Sequence, residues 1–157
     1  MGYVYTLDGT FELGGLEQSI LMRGNTVIKV KTHLLVGLIL ELIAFFSSRF
    51  KPSRIIGQEL SGIIVELDKD IKGFNHSGRV GRFSLAIGCG NCRFCLIGHL
   101  NMYDHMQTVG FDFDGAFADY MLIPSLTFKN RNLNKLSETT SNEEAALAEL
   151  IACCINA

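Results

Sequence analysis

Apolar and polar positions alternate through "TFELGG" and again through "NTVIKVKTHLL", on either side of a turn centred on "RGN". A period of two marks a half-buried strand, so the pattern predicts strand, loop, strand, with Val27, Ile28 and Val30 leading the second. Alternation at Tyr3, Tyr5 and Leu7 predicts an earlier strand, which outweighs the loose myristoylation match of "MGYVYT" through Gly2 and Thr6. "GQELSGIIVELDKDIKGFNHSGRV" predicts a two-strand unit turning at "DKDIKG", and "DGAFADYMLIPSLTFKNRN" two more short strands around Pro124. Residues 34–48 predict a short buried helix broken near Gly37.

The last segment, "SNEEAALAELIACCINA", differs in kind. Ser141 with Glu144 three positions on forms a capping box, in which each side chain satisfies the other residue's orphan backbone amide. Ala145, Ala146, Leu147, Ala148, Leu150, Ile151, Ala152 and Ile155 leave almost no polar face, and such a helix expects burial. The expectation is a protein partner that docks on it. Cys153 and Cys154 read as small hydrophobes there.

Composition narrows the classes. At 157 residues the chain suits one ordinary domain, and 48% hydrophobic against 19% charged residues excludes disorder and coiled coil. Sixteen glycines against two prolines suggest a turn-rich, mainly β protein. A net charge of −2 leaves no footprint for nucleic acid or an anionic membrane. The apolar run at 34–46 contains Glu41 and is too short to span a bilayer. The first residues lack a basic start and hydrophobic run, and three of five cysteines fall within seven positions. Metal or reduced thiols in the cytoplasm follow, rather than a secreted disulfide framework. "GCGNC" opens like a dinucleotide fingerprint but lacks its third glycine and helix, so no NAD(P) site is expected.

An ordered series of motifs over roughly residues 15–157 resembles the zinc-dependent medium-chain dehydrogenases, which include alcohol, sorbitol and threonine dehydrogenases. "GQELSG" (57–62) stands where the family reads Gly-His-Glu-Phe-Ser-Gly, and "IIVELDKDIKGFNHSGRV" matches the strand and turn ending Gly-Asp-Arg-Val, with Gly78 in place of the Asp. "CGNCRFCLIGHLNMY" (89–103) matches the cysteine lobe, "DGAFADY" (114–120) the Asp-Gly-Gly-Phe-Ala-Glu-Tyr segment, and "EEAALAEL" (143–150) the start of the following helix. The resemblance implies a mainly β, partly open GroES-like barrel with short helices at 1–140. Residues 141–157 would then be the helix that in the family leads into a nucleotide-binding Rossmann domain, here absent.

The family oxidises an alcohol to a carbonyl with NAD(P), using a catalytic zinc as Lewis acid. Carried across, that site is degenerate. Val36 replaces the thiolate ligand, Leu38 the hydroxyl of the proton relay, Ile39 the supporting Asp, and Gln58 the ligand His. Glu59 and Glu149 remain, a poor set for an ion that prefers nitrogen and sulfur. The simpler reading makes Glu59 a carboxylate paired to a nearby Lys or Arg, and Glu149 a solvated helix residue. His33 and His76 read as surface or satisfied core residues.

The lobe is better preserved. Cys89, Cys92 and Cys95 keep spacings that aim successive sulfurs at one ion, and Tyr103 holds the fourth seat. A phenol with a pKa of about 10 is a poor donor, and His105 or His99 is near enough in sequence to give a Cys3His site. A relic lobe and one structural zinc both remain open. The expectation is a truncated, inactive N-terminal catalytic domain of a zinc-type alcohol or polyol dehydrogenase. Two alternatives stand beside it: a non-catalytic zinc or protein-interaction module, and a subunit needing a separate cofactor-binding chain.

Overall fold

The computed structural model describes residues 1–5, 11–14, 26–35, 53–82 and 86–155. Apart from Leu34 and Leu35, the helix expected at 34–48 lies outside them, as do Val36 and Leu38. Elements are numbered among the described residues.

β1 (Gly2–Tyr5) and β2 (Phe11–Gly14) form an antiparallel pair. β3 (Thr26–His33), β4 (Leu60–Leu67) and β5 (Arg79–Arg82) are the centre of a five-stranded antiparallel sheet. β8 (Tyr120–Ile123) and β9 (Leu133–Lys135) are its edges, in the order β8-β3-β4-β5-β9. β6 (Ala86–Ile87) and β7 (Gln107–Thr108) form a third pair at the base of the cysteine loop. The sheet is not closed, and its β3–β4 register shifts at Val27/Ile28 and at Val30/Thr32. Such irregularities bend and twist a strand pair, which gives the curvature of a partly open barrel.

The core joins Ile28, Leu60, Ile64, Val80, Met121, Ile123 and Leu133 from the five strands with Ile87, Val109 and Ala116. Val27 and Ile28 lead β3 into it, whereas Val30 packs only partly buried at its margin. The expected turn after β4 is fixed by Asp68, whose Oδ1 accepts the Asp70 amide at 2.8 Å. This is the side-chain turn that Asp forms readily.

Pro124 does not lead into a strand. It is the N-cap (φ −61°) of a short helix, α2 (Ser125–Lys129), which buries Thr127 and packs Leu126 and Phe128, both partly buried, against the core. Packing outweighs the strand preference of Thr127 and Phe128. The cysteine loop contains its own turn of helix, α1 (Arg93–Leu96), and a 3₁₀ turn at Leu100–Met102.

α3 (Asn142–Ile155) lies across β3, β4 and β5. Its capping box forms as expected: the Ser141 amide donates to Glu144 Oε2 at 2.8 Å, and the Glu144 amide to Ser141 Oγ at 3.1 Å. One face only is buried, at Ala145, Ala146 and Glu149. Small residues allow close approach to the sheet, while Leu147, Leu150, Ile151 and Ile155 face outward. No helix among the described residues is long and apolar enough to cross a membrane.

Ser141→Ala should lower stability by about 1 kcal/mol by removing the cap. The expected readout is a lower urea midpoint with an unchanged m-value, and Ser141→Asp should stay close to the parent.

Candidate metal centre and buried carboxylate site

The lobe hangs from α2 and β9 by two asparagines. Asn130 Nδ2 donates to Gly88 O at 3.0 Å, and Asn132, itself buried, donates to Ala86 O. The chain then turns back so that Cys89 meets the start of α1, where the Cys92 amide donates to Cys89 Sγ at 3.3 Å. Gly88 is required by close approach, since a Cβ there would strike Cys95 Sγ.

The three sulfurs lie mutually within 4.8 Å, with Cys92–Cys95 at 3.4 Å and Cys89–Cys95 at 3.8 Å. A tetrahedral zinc with bonds of about 2.3 Å needs sulfur–sulfur edges of about 3.8 Å. The cluster therefore fits such an ion closely. The amides of Asn91 and Cys92 pull the Cys89 thiol down to about 6, with smaller help from the neighbouring sulfurs. Burial pushes the Cys95 thiol up, as do the sulfurs beside it. One thiolate is thus ready at neutral pH, and a bound cation would favour the others.

Of the fourth-donor candidates, the structure brings Tyr103 to the sulfurs. Burial pushes its pKa up, as do the Cys89, Cys92 and Cys95 sulfurs beside it. The His105 ring stands edge-on to Tyr103 with centroids 5.9 Å apart, and His99 is the exposed cap of the 3₁₀ turn. The mutually close set contains three sulfurs and no imidazole nitrogen.

The second site is built around Gln58 and Glu59. Backbone hydrogen bonds from Gly115, Ala116 and Phe117 to residues 55–57 fix the segment before them. Gly57 adopts φ +96° against the Phe117 ring, where no side chain would fit. Gln58 and Glu59 are 1% and 2% exposed, and Gln58 Nε2 donates to Glu59 Oε1 at 3.1 Å. From β5, Arg82 (1% exposed) donates through Nη1 to Gln58 O at 3.2 Å.

Burial lowers the Arg82 pKa to about 10, opposed by the attraction of Glu149 and then Glu59. It remains a cation at neutral pH. Glu149, expected to be solvated, is instead buried at 4% exposure, because α3 turns it toward the sheet and this guanidinium. Glu59 does have the basic neighbour expected of it. Arg82 was not singled out in the sequence, although parity could have found it: two residues from Val80, it shares that core residue's face of β5.

The family's catalytic zinc does not fit this site. Among the described residues Gln58 Oε1 and Glu59 Oε2 lack hydrogen-bond partners, but the donors are an amide and carboxylates rather than imidazole and thiolate. A resident guanidinium already supplies the positive charge. His33, expected to be a surface or satisfied core residue, is exposed at the end of β3 with its ring centroid 4.5 Å from that of Phe117, and partial burial lowers its pKa. Cys153 and Cys154 are exposed on α3.

The model of the alcohol dehydrogenase GroES-like domain matches residues 22–130. The chain belongs to that family. Similar curated proteins are the sorbitol dehydrogenase of Halalkalibacterium halodurans, 34% identical over 98 residues (62% of this chain, 27% of that protein), and the L-threonine 3-dehydrogenase of Pyrococcus horikoshii, 30% identical over 129 residues (80% and 35%). The chain thus spans about a quarter to a third of the curated relatives it matches. Among solved structures, a putative zinc-binding dehydrogenase from Sinorhizobium meliloti bound to NADP superposes with a TM-score of 0.82 at 22% identity, covering 98% of this chain and 43% of that one. Alcohol dehydrogenase TADH from Thermus sp. ATN1 also gives 0.82, at 21% identity over 94% and 43%. The GroES-like domain of the zinc-dependent medium-chain dehydrogenases is therefore the family and fold of these residues, with no Rossmann domain evident among them.

Arg82→Met should destabilise the fold by about 3–5 kcal/mol, since it strands two buried carboxylates. Adding Glu59→Gln and Glu149→Gln should recover a substantial part of that loss, measured by urea unfolding.

Proposed function

We propose that these residues form a GroES-like domain without dehydrogenase chemistry of its own, which keeps the structural lobe as a zinc site. The observation that carries this reading is Arg82, a buried cation among Gln58, Glu59 and Glu149, where the family's motifs would hold a catalytic ion. Val36 and Leu38 agree with it from the sequence, as neither offers a ligand or a relay hydroxyl. Cys89, Cys92 and Cys95 would hold the zinc, whose contribution when bound is to cross-link a loop that has little packing of its own. Free thiols suit a reducing compartment, and the cytoplasm is the address this reading assigns. The purified chain, given zinc and NAD or NADP, should form no reduced cofactor from primary, secondary or polyol alcohols. Turnover abolished by Glu59→Ala would refute the reading.

The outward face of α3 favours a second role, as a docking surface for a protein partner, including a separate cofactor-binding chain. Leu147, Leu150, Ile151 and Ile155 are between 37% and 78% exposed there. Leu147→Glu with Ile151→Glu should leave the unfolding midpoint within about 0.5 kcal/mol of the parent, as exposed substitutions do. The same pair should abolish any association seen by light scattering or with an added nucleotide-binding subunit. Association that survives both changes would exclude this face.

A further inference from the structure

We propose that Cys92 and Cys95 are a reversible disulfide site, closed by a small outside disulfide, opened by a dithiol, and in competition with the metal for the lobe's sulfurs. The competition rests on the reading of the lobe as a zinc site, whereas the pairing of the two thiols does not.

All five cysteines of the chain are free thiols among the described residues. Cys153 and Cys154 are adjacent and exposed on α3, and successive helix positions do not face each other. The lobe is different. Cys92 is the N-cap of α1 and Cys95 its third residue, with sulfurs 3.4 Å apart. Helix geometry sets Cα atoms three positions apart at roughly 5 Å, within the span of about 4.4–6.8 Å that a disulfide bridges. A bond of about 2.0 Å then asks the sulfurs to approach by roughly 1.4 Å. Little packing opposes that movement, since no residue of α1 is buried and Cys92 has extended backbone (φ −76°, ψ 166°). Cys89 is the less favoured partner. Its sulfur stands 3.8 Å from that of Cys95 and already accepts the Cys92 amide at 3.3 Å.

Both thiols are only partly buried, which leaves them open to a small reagent. One thiolate attacks the outside disulfide, a new sulfur–sulfur bond forms, and one small thiol leaves. The other cysteine then displaces the remaining small thiol. The chain gives up two electrons and two protons, and the oxidant becomes two thiols. Two of the three sulfurs thereby lose the negative charge that a metal needs, so bridge and metal exclude each other.

The test incubates the purified metal-free chain with oxidised glutathione and maps the products by peptide mass spectrometry. A Cys92–Cys95 bridge should appear, and dithiothreitol should reopen it. In the full chain carrying Cys153→Ser and Cys154→Ser, titratable thiols should fall from three to one. Cys89→Ser should close at the parent rate, and Cys92→Ser should lose thiols at least about tenfold more slowly. Saturating zinc should slow closure by about tenfold or more, and each bridge formed should release one zinc to a coloured chelator. Retention of all thiols, a bridge through Cys89, or glutathione left attached at Cys92 or Cys95 would overturn the pairing. Equal rates with and without zinc would overturn the competition. If the chain holds no zinc, the zinc reading and the competition fail together, and the map of the metal-free chain still decides the pairing.

Discussion

A guanidinium buried beneath a helix is the constraint around which this domain is arranged. Removing an ion from water costs several kcal/mol unless opposite charge and hydrogen bonds compensate it. Arg82 finds compensation from three directions: the Gln58 carbonyl, and the charges of Glu59 ahead of β4 and of Glu149 on α3. That requirement fixes how α3 docks. Glu149 must turn inward, and Ala145 and Ala146, on the same face, are small enough to let it. The outward apolar face is the other side of that choice.

The two polar centres are built on opposite principles. The carboxylate site carries its cation within the sequence, on a strand of the five-stranded sheet that α3 covers. The lobe has two-residue strands and a four-residue helix, none of whose residues is buried. Helices this short do not persist unaided. Two asparagine tethers set where the loop starts, but they do not reach its tip. Cross-linking through the sulfurs is the interaction its architecture leaves for an outside ion to provide.

Much of this was legible from residue order. Period-two alternation marked β1, β2 and β3, the turn at "DKDIKG" separated β4 from β5, and Ser141 with Glu144 announced the start of α3. The cysteine spacing foretold the sulfur cluster. Legibility failed where a residue's meaning depends on what covers it. "SLTFK" after Pro124 has the composition of a strand, yet it is helical, with Pro124 at its N-cap and Thr127 buried beneath it. A helix apolar nearly all round gives no clue to which side meets the sheet. Its one mid-helix carboxylate, Glu149, therefore read as the wet side when it is the buried one. Arg82 was hidden by the ordinary assumption that arginine on a short strand faces solvent.

Gly88 has a consequence for how inherited variation in this gene should be read. Although it donates nothing to an ion, any larger residue there would displace the Cys95 sulfur from its neighbours. A missense change at this position would thus disturb the sulfur cluster while leaving every cysteine codon intact.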